Sequence, residues 1–160
     1  MGNNDALKEI KPKFEPGAPK IKYPQLEGER TCLINSVCNT LYFLNFKEAA
    51  AKIWRNRNIV LAEEEPSKRW TAMHKLVEEH TGILYPRKVQ GQVGEPLFRL
   101  DLYREDTPLI VALEGSDGKI DHVIGLANSY IFDGSFEYAL ITNKKIWIYA
   151  VLPVLYLLII

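Results

Sequence analysis

This sequence has few cysteines, few histidines and no net charge. It has two cysteines and three histidines among 160 residues. That is too few cysteines for a disulfide scaffold, and the histidines are too scattered for a metal cluster. Lysine plus arginine and aspartate plus glutamate each total 20, so the formal net charge is zero and no basic excess attracts nucleic acid. We therefore expect no metal, no cofactor and no nucleic-acid partner.

The N-terminus lacks the apolar stretch of a signal peptide, which favours a cytoplasmic location. Residues 1–24 contain four prolines among alternating charges, a composition that predicts an extended, mobile arm. The remaining chain is rich enough in apolar residues, at 47% overall, for a real core. One folded domain is therefore expected over residues 25–145.

The order of the predicted elements indicates an α+β fold. Helical periodicity and intrinsic propensity predict three helices, over residues 32–44, 46–57 and 66–80. Alternating and apolar runs then predict strands, over residues 83–89, 97–102, 108–113, 121–127 and 130–133. Helices that precede strands in this way are typical of α+β domains.

Cys32 is the first candidate for chemistry. Thr31 is a plausible N-cap, which places Cys32 in the first turn of an apolar helix. The partial positive charge at a helix N-terminus favours a thiolate, and the first-turn amides can stabilise an oxyanion. Cys38 lies six positions further along the same helix and has neither advantage. A free cysteine is also commonly a small buried hydrophobic residue, which is the alternative interpretation of Cys32.

His122 and Asp133 form the second part of the candidate site. If Asn128 and Ser129 form a two-residue hairpin turn, residue 127 faces 130 and residue 122 faces 135. Asp133 is then the diagonal neighbour of His122 on one face of the sheet, about 7–8 Å away at the backbone. An imidazole and a carboxylate can bridge that distance. Asp121 and Asn128 are the lesser candidates for orienting the ring.

Two segments carry a resemblance to a known superfamily. One is Thr-Cys-Leu-Ile-Asn-Ser-Val-Cys-Asn at the start of the first helix. The other is Asp-His-Val-Ile-Gly-Leu-Ala, followed by Tyr-Ile-Phe-Asp-Gly. Together they resemble the papain-like cysteine peptidase superfamily, in particular its compact viral, OTU-type or bacteriocin-processing members. The resemblance covers residues 25–140.

The resemblance implies a papain-like fold, with the nucleophile helix packed on a C-terminal antiparallel sheet. It also implies Cys32 as the nucleophile, His122 as the base and Asp133 as the orienting carboxylate, in the superfamily's chain order. Gln25 is the implied candidate for the oxyanion donor, although it lies seven residues before Cys32. The Asp-Gly-x-Cys signature of OTU deubiquitinases is absent here.

The implied function is that of a cysteine peptidase or isopeptidase, which hydrolyses amide bonds of a peptide or protein substrate through a thioacyl-enzyme. A thiol-dependent acyltransferase of the same fold is the nearest alternative. From a different class, a non-catalytic binding module or a membrane-associated adaptor is also compatible with the sequence.

The C-terminal segment, residues 146–160, is almost uninterruptedly apolar. As a helix its fifteen residues would span about 22 Å, short of the roughly 30 Å hydrocarbon core of a bilayer. Pro153 weakens a helix further. A buried strand is therefore preferred to a membrane anchor. The alternatives are membrane association through this segment, or a helix or strand of which the sequence contains only part.

Overall fold

A computed structural model of the chain describes residues 18–26, 30–82, 87–90, 108–114, 120–141 and 154–159. The helices are α1 (Cys32–Phe43), α2 (Lys47–Arg55), α3 (Arg57–Leu61) and α4 (Pro66–Thr81). The strands are β1 (Arg87–Gln90), β2 (Leu109–Glu114), β3 (Ile120–Ala127), β4 (Tyr130–Phe132), β5 (Leu140–Ile141) and β6 (Val154–Ile159). Helices precede strands, which confirms the α+β class.

Helix α1 begins where the sequence predicts, but its first turn is not capped by a side chain. Thr31 occupies the N-cap position, yet its hydroxyl makes no capping hydrogen bond. The hydroxyl instead accepts a hydrogen bond from the Leu26 amide at 3.4 Å. The Thr31 carbonyl does accept the Asn35 amide, at 2.8 Å, which starts the helical hydrogen-bond pattern. The predicted N-cap position is therefore confirmed, although the Thr31 side chain binds the preceding chain segment and not the first turn.

The predicted helix over residues 46–57 is two shorter helices. Helix α2 ends at Arg55, and α3 begins at Arg57. The helical path is interrupted at Asn56, whose φ of −98° and ψ of 15° depart from helical values. Helix α4 agrees with the prediction: a proline stands in its first turn, and Gly82 follows its last residue with a φ of 72°.

The strands form one antiparallel sheet in the order β1-β6-β2-β3-β4-β5. In the β3–β4 hairpin Ala127 pairs with Tyr130, which is the predicted register. Asn128 and Ser129 have φ angles of 47° and 67°, so both lie in the left-handed region that a two-residue hairpin turn of type I′ requires. The predicted strand over residues 97–102 lies outside the described residues, as does the range 83–86.

The apolar C-terminal segment contributes a strand to this sheet. Strand β6 pairs with β1 on one edge and with β2 on the other. Residues 146–153 lie outside the described residues. No helix within the described ranges is long and apolar enough to cross a membrane.

The folded domain includes residues before Gln25, where the sequence predicts a mobile arm. Ile21 and Tyr23 are buried. The Ile21 amide donates to the Glu137 carbonyl at 2.9 Å, so this segment pairs with the chain that follows β4. The predicted boundary between arm and domain, at residue 24, is therefore too far along the chain, because Ile21 and Tyr23 already belong to the core. Residues 1–17 lie outside the described residues.

Helix α1 packs closely on strand β3. A Cβ at Gly125 would lie 2.1 Å from the Thr40 hydroxyl and 3.1 Å from the Ser36 carbonyl, so this contact requires glycine. The Ser36 hydroxyl also donates to the Val123 carbonyl at 2.8 Å. Helix and strand are thus fixed in one register, and this register sets the start of α1 beside the start of β3.

Candidate active site

Cys32 is the first residue of α1 and is partly exposed. The amides of a first helical turn have no partner within the helix, so a negative charge close to Cys32 meets free N–H groups. Cys38 is fully buried in the same helix, and burial raises the pKa of its thiol well above the ordinary value. Of the two cysteines, only Cys32 is both accessible and close to a helix terminus.

His122 lies on β3 and is hydrogen-bonded to Asp133. The His122 Nε2 and Asp133 Oδ2 atoms are 2.7 Å apart, with side-chain exposures of 11% and 4%. Asp133 follows directly after β4, and the hairpin register brings it to the same side of the sheet as His122. The structure thus brings these two predicted residues together. Asn128 forms the turn, and the side chain of Asp121 lies outside the described part.

The imidazole of His122 lies between Asp133 and Cys32. Burial lowers the pKa of His122, but the hydrogen bonds with Asp133 and Cys32 and the charges of both groups raise it, to about 10. Because Nε2 faces Asp133, Nδ1 is the ring nitrogen left for the thiol. The ring therefore faces the Asp133 carboxylate through Nε2 and interacts with the Cys32 side chain, and both interactions raise its pKa.

Both oxygens of the Asp133 carboxylate are used. Oδ2 binds His122, and Oδ1 accepts the Ser135 amide at 2.9 Å. Burial raises the pKa of Asp133, but the hydrogen bond and charge of His122 and the hydrogen bonds with Ser135 lower it overall. The carboxylate is therefore ionised and fixed in orientation, which also fixes the orientation of the ring.

Gln25 lies beside the turn that carries Asp133. Its backbone amide donates to the Gly134 carbonyl at 2.8 Å. A Cβ at Gly134 would lie 2.9 Å from that amide nitrogen and 3.0 Å from the Asn35 side chain, so glycine is required for the approach. The structure thus brings the Gln25 backbone against the Asp133 turn, and Asn35 of the nucleophile helix lies at the same point.

Buried polar residues lie on the same face of α1 as Cys32, a feature that the sequence interpretation missed. Asn35, Ser36 and Asn39 are buried, although apolar positions alone predict the helix. With Cys32 they occupy positions i, i+3, i+4 and i+7, so they share one face of the helix. Polar residues at helical spacing within an apolar helix are the signal that could have identified this face.

No cluster of three or more potential metal ligands occurs among the residues that the structure describes. No protein-family model, curated protein or solved structure matches the chain. The resemblance to papain-like peptidases therefore stays a prediction, and the geometry around Cys32 is the available indication of function.

Proposed function

We propose that the protein is a cysteine peptidase or isopeptidase that hydrolyses amide bonds through Cys32, His122 and Asp133. The observation that carries this proposal is the position of the His122 ring, which interacts with the Cys32 side chain and is bound to Asp133 at 2.7 Å. Thiol hydrolases need this order of nucleophile, base and orienting group.

The architecture supports a papain-like arrangement. The cysteine begins a twelve-residue helix, the histidine lies on a strand of an antiparallel sheet, and the aspartate follows the next strand. Helix α1 packs against β3, so the cysteine and histidine approach each other from two different elements. Such a division of the site between a helix and a sheet is the one that the sequence resemblance implies.

The reaction begins with a thiolate and an imidazolium. The Cys32 thiolate attacks the substrate carbonyl carbon, and the carbonyl oxygen becomes negatively charged. First-turn amides of α1, and Gln25 as a candidate donor, stabilise that oxygen. The His122 imidazolium gives its proton to the leaving amine, the C–N bond breaks and a thioester forms. Neutral His122 then removes a proton from water, which attacks the thioester and releases the acid together with Cys32.

The raised pKa of His122 fits the acid role in this sequence of steps. At neutral pH a ring with a pKa of about 10 carries its proton, so it can protonate a leaving amine at once. Asp133 stabilises the charged ring and holds its Nε2 proton, which leaves Nδ1 for proton exchange with the thiol and the amine.

The test compares Cys32→Ala with the matched variant Cys38→Ala. Both proteins are incubated with a fluorogenic peptide library and with an isopeptide-linked ubiquitin substrate. We expect Cys38→Ala to retain the hydrolysis of the unmodified protein, and Cys32→Ala to lose it. Full hydrolytic activity in Cys32→Ala would contradict the proposal.

The products separate hydrolysis from acyl transfer. With an added amine acceptor, a hydrolase still releases mainly the free acid, whereas an acyltransferase forms the new amide. An electrophilic peptide or ubiquitin probe gives a further check, because its adduct should map to Cys32. An adduct confined to Cys38, or none, would favour a non-catalytic module.

A further inference from the structure

Asn35 connects the nucleophile helix to the segment that leads into Gln25. It lies one helical turn after Cys32 and is fully buried. Its Nδ2 donates two hydrogen bonds, to the Tyr23 carbonyl at 2.8 Å and to the Pro24 carbonyl at 2.6 Å. A buried side-chain amide whose two donors both bind one piece of main chain fixes the position of that chain.

The main chain is also fixed at Gln25 itself and just after it. The Gln25 amide donates to the Gly134 carbonyl at 2.8 Å. The Leu26 amide donates to the Thr31 hydroxyl at 3.4 Å. Gly134 follows the candidate carboxylate, and Thr31 precedes the candidate nucleophile. Gln25 is therefore held from both sides by neighbours of the site.

We propose that Asn35 is a positioning residue that holds the main chain at Gln25 close to the start of α1, where Gln25 serves as an oxyanion donor. This inference rests on the proposed thiol hydrolase function. Asn35 acts through the carbonyl of Pro24, the residue immediately before Gln25, and not through the reacting atoms. Its removal leaves the thiol as reactive as before but weakens stabilisation of the negative carbonyl oxygen, because the main chain immediately before Gln25 loses its anchor and Gln25 is held less precisely.

Asn39 provides a matched control on the same helix face. It binds the same segment through three hydrogen bonds, from the Lys22 and Tyr23 amides at 3.0 and 2.8 Å and to the Tyr23 carbonyl at 2.9 Å. All three lie before Pro24. Loss of Asn39 therefore removes more hydrogen bonds than loss of Asn35, but none next to Gln25.

Two reactions of Cys32 distinguish a misplaced oxyanion donor from a general loss of protein stability. Iodoacetamide alkylates a thiolate by displacement of iodide and forms no oxyanion. p-Nitrophenyl acetate acetylates the thiolate through a tetrahedral oxyanion, which expels p-nitrophenolate and leaves a thioester. Both rates are measured at a temperature where every variant is folded, in a Cys38→Ser background so that only one thiol reacts.

Asn35→Ala should alkylate within about twofold of the parent but acetylate at least about tenfold more slowly, since an oxyanion donor is misplaced. Asn39→Ala should retain both rates. Gln25→Ala should reproduce the selective loss, and the Gln25→Ala/Asn35→Ala double variant should be no slower than Gln25→Ala alone. Should Asn35→Ala not fold, Asn35→Leu fills the same space without donating and should give the same selective loss.

The outcome that overturns the inference is an equal slowing of both reactions in the Asn35 variant, or losses at Gln25 and Asn35 that multiply in the double variant. A parent protein that alkylates no faster than its unfolded chain and is not acetylated would instead refute the proposed function. The two failures are therefore distinguishable.

Discussion

Replacement of Asp133 by asparagine tests the ion pair at the candidate site. The change keeps the side-chain shape and an oxygen that can accept a hydrogen bond from His122. It removes the negative charge that lies 2.7 Å from the Nε2 atom. The imidazolium then loses its main source of stabilisation, while the burial that opposes its charge is unchanged.

The size of the effect follows from the raised pKa of His122. Burial lowers that pKa, but the hydrogen bonds and charges of Asp133 and Cys32 raise it from 6.5 to about 10. At about 1.4 kcal/mol per pH unit, this difference corresponds to roughly 5 kcal/mol in favour of the imidazolium. Because the pKa is higher in the folded than in the unfolded protein, this stabilisation is complete below pH 6.5 and is lost as the pH rises through about 10.

The assay is urea unfolding at pH 6 and pH 9.5 for the parent and Asp133→Asn proteins. Between these pH values the parent should lose at least about 2 kcal/mol more free energy of unfolding than the variant. Lysine and tyrosine titration is common to both proteins and cancels in the comparison. In an NMR titration the pKa of His122 should fall by at least about two pH units in the variant, the change that a 2 kcal/mol difference between these pH values requires. Equal losses of stability, or the same His122 pKa in both proteins, would refute the ion-pair reasoning.

Three further variants test how the fold holds the site. Ser36→Ala removes the 2.8 Å hydrogen bond to the Val123 carbonyl and should lower the free energy of unfolding in urea by about 1 kcal/mol; no measurable loss would contradict its role. Gly125→Ala places a Cβ 2.1 Å from the Thr40 hydroxyl and should cost more than about 2 kcal/mol, part of which a second change, Thr40→Ala, restores. Ser129→Gly relieves a φ of 67° and should raise the thermal unfolding midpoint, by up to about 1 kcal/mol in stability; a lower midpoint would argue against strain in the turn.

The hairpin was predictable because its determinants are local. Asn128 and Ser129 separate two apolar runs, and a two-residue loop fixes which residues face each other. Once the register is fixed, the same-face relation of His122 and Asp133 follows from the two-residue period of a strand. The geometry of this pair was therefore accessible from the sequence, although its catalytic role is a separate proposal.

Features that depend on long-range contacts were not predictable in the same way. The burial of Tyr23 depends on Asn35 and Asn39, which bind its main chain from a helix more than ten residues away. Proline and charge content alone favoured a mobile arm there. The break in the second helix is a change of backbone dihedral angles at the single residue Asn56, which helix propensity averaged over the segment does not reveal.

If Cys32 and His122 act as a reactive pair, the pairing should appear in the rate of Cys32 alkylation at pH 6. Iodoacetamide is applied to the parent protein, to His122→Asn and to the urea-unfolded parent, and the adduct is mapped by mass spectrometry. We expect native Cys32 to react at least about tenfold faster than Cys32 in the unfolded chain, and His122→Asn to abolish this advantage. Native Cys32 that reacts no faster than the unfolded chain, or equally fast without His122, would contradict the pairing.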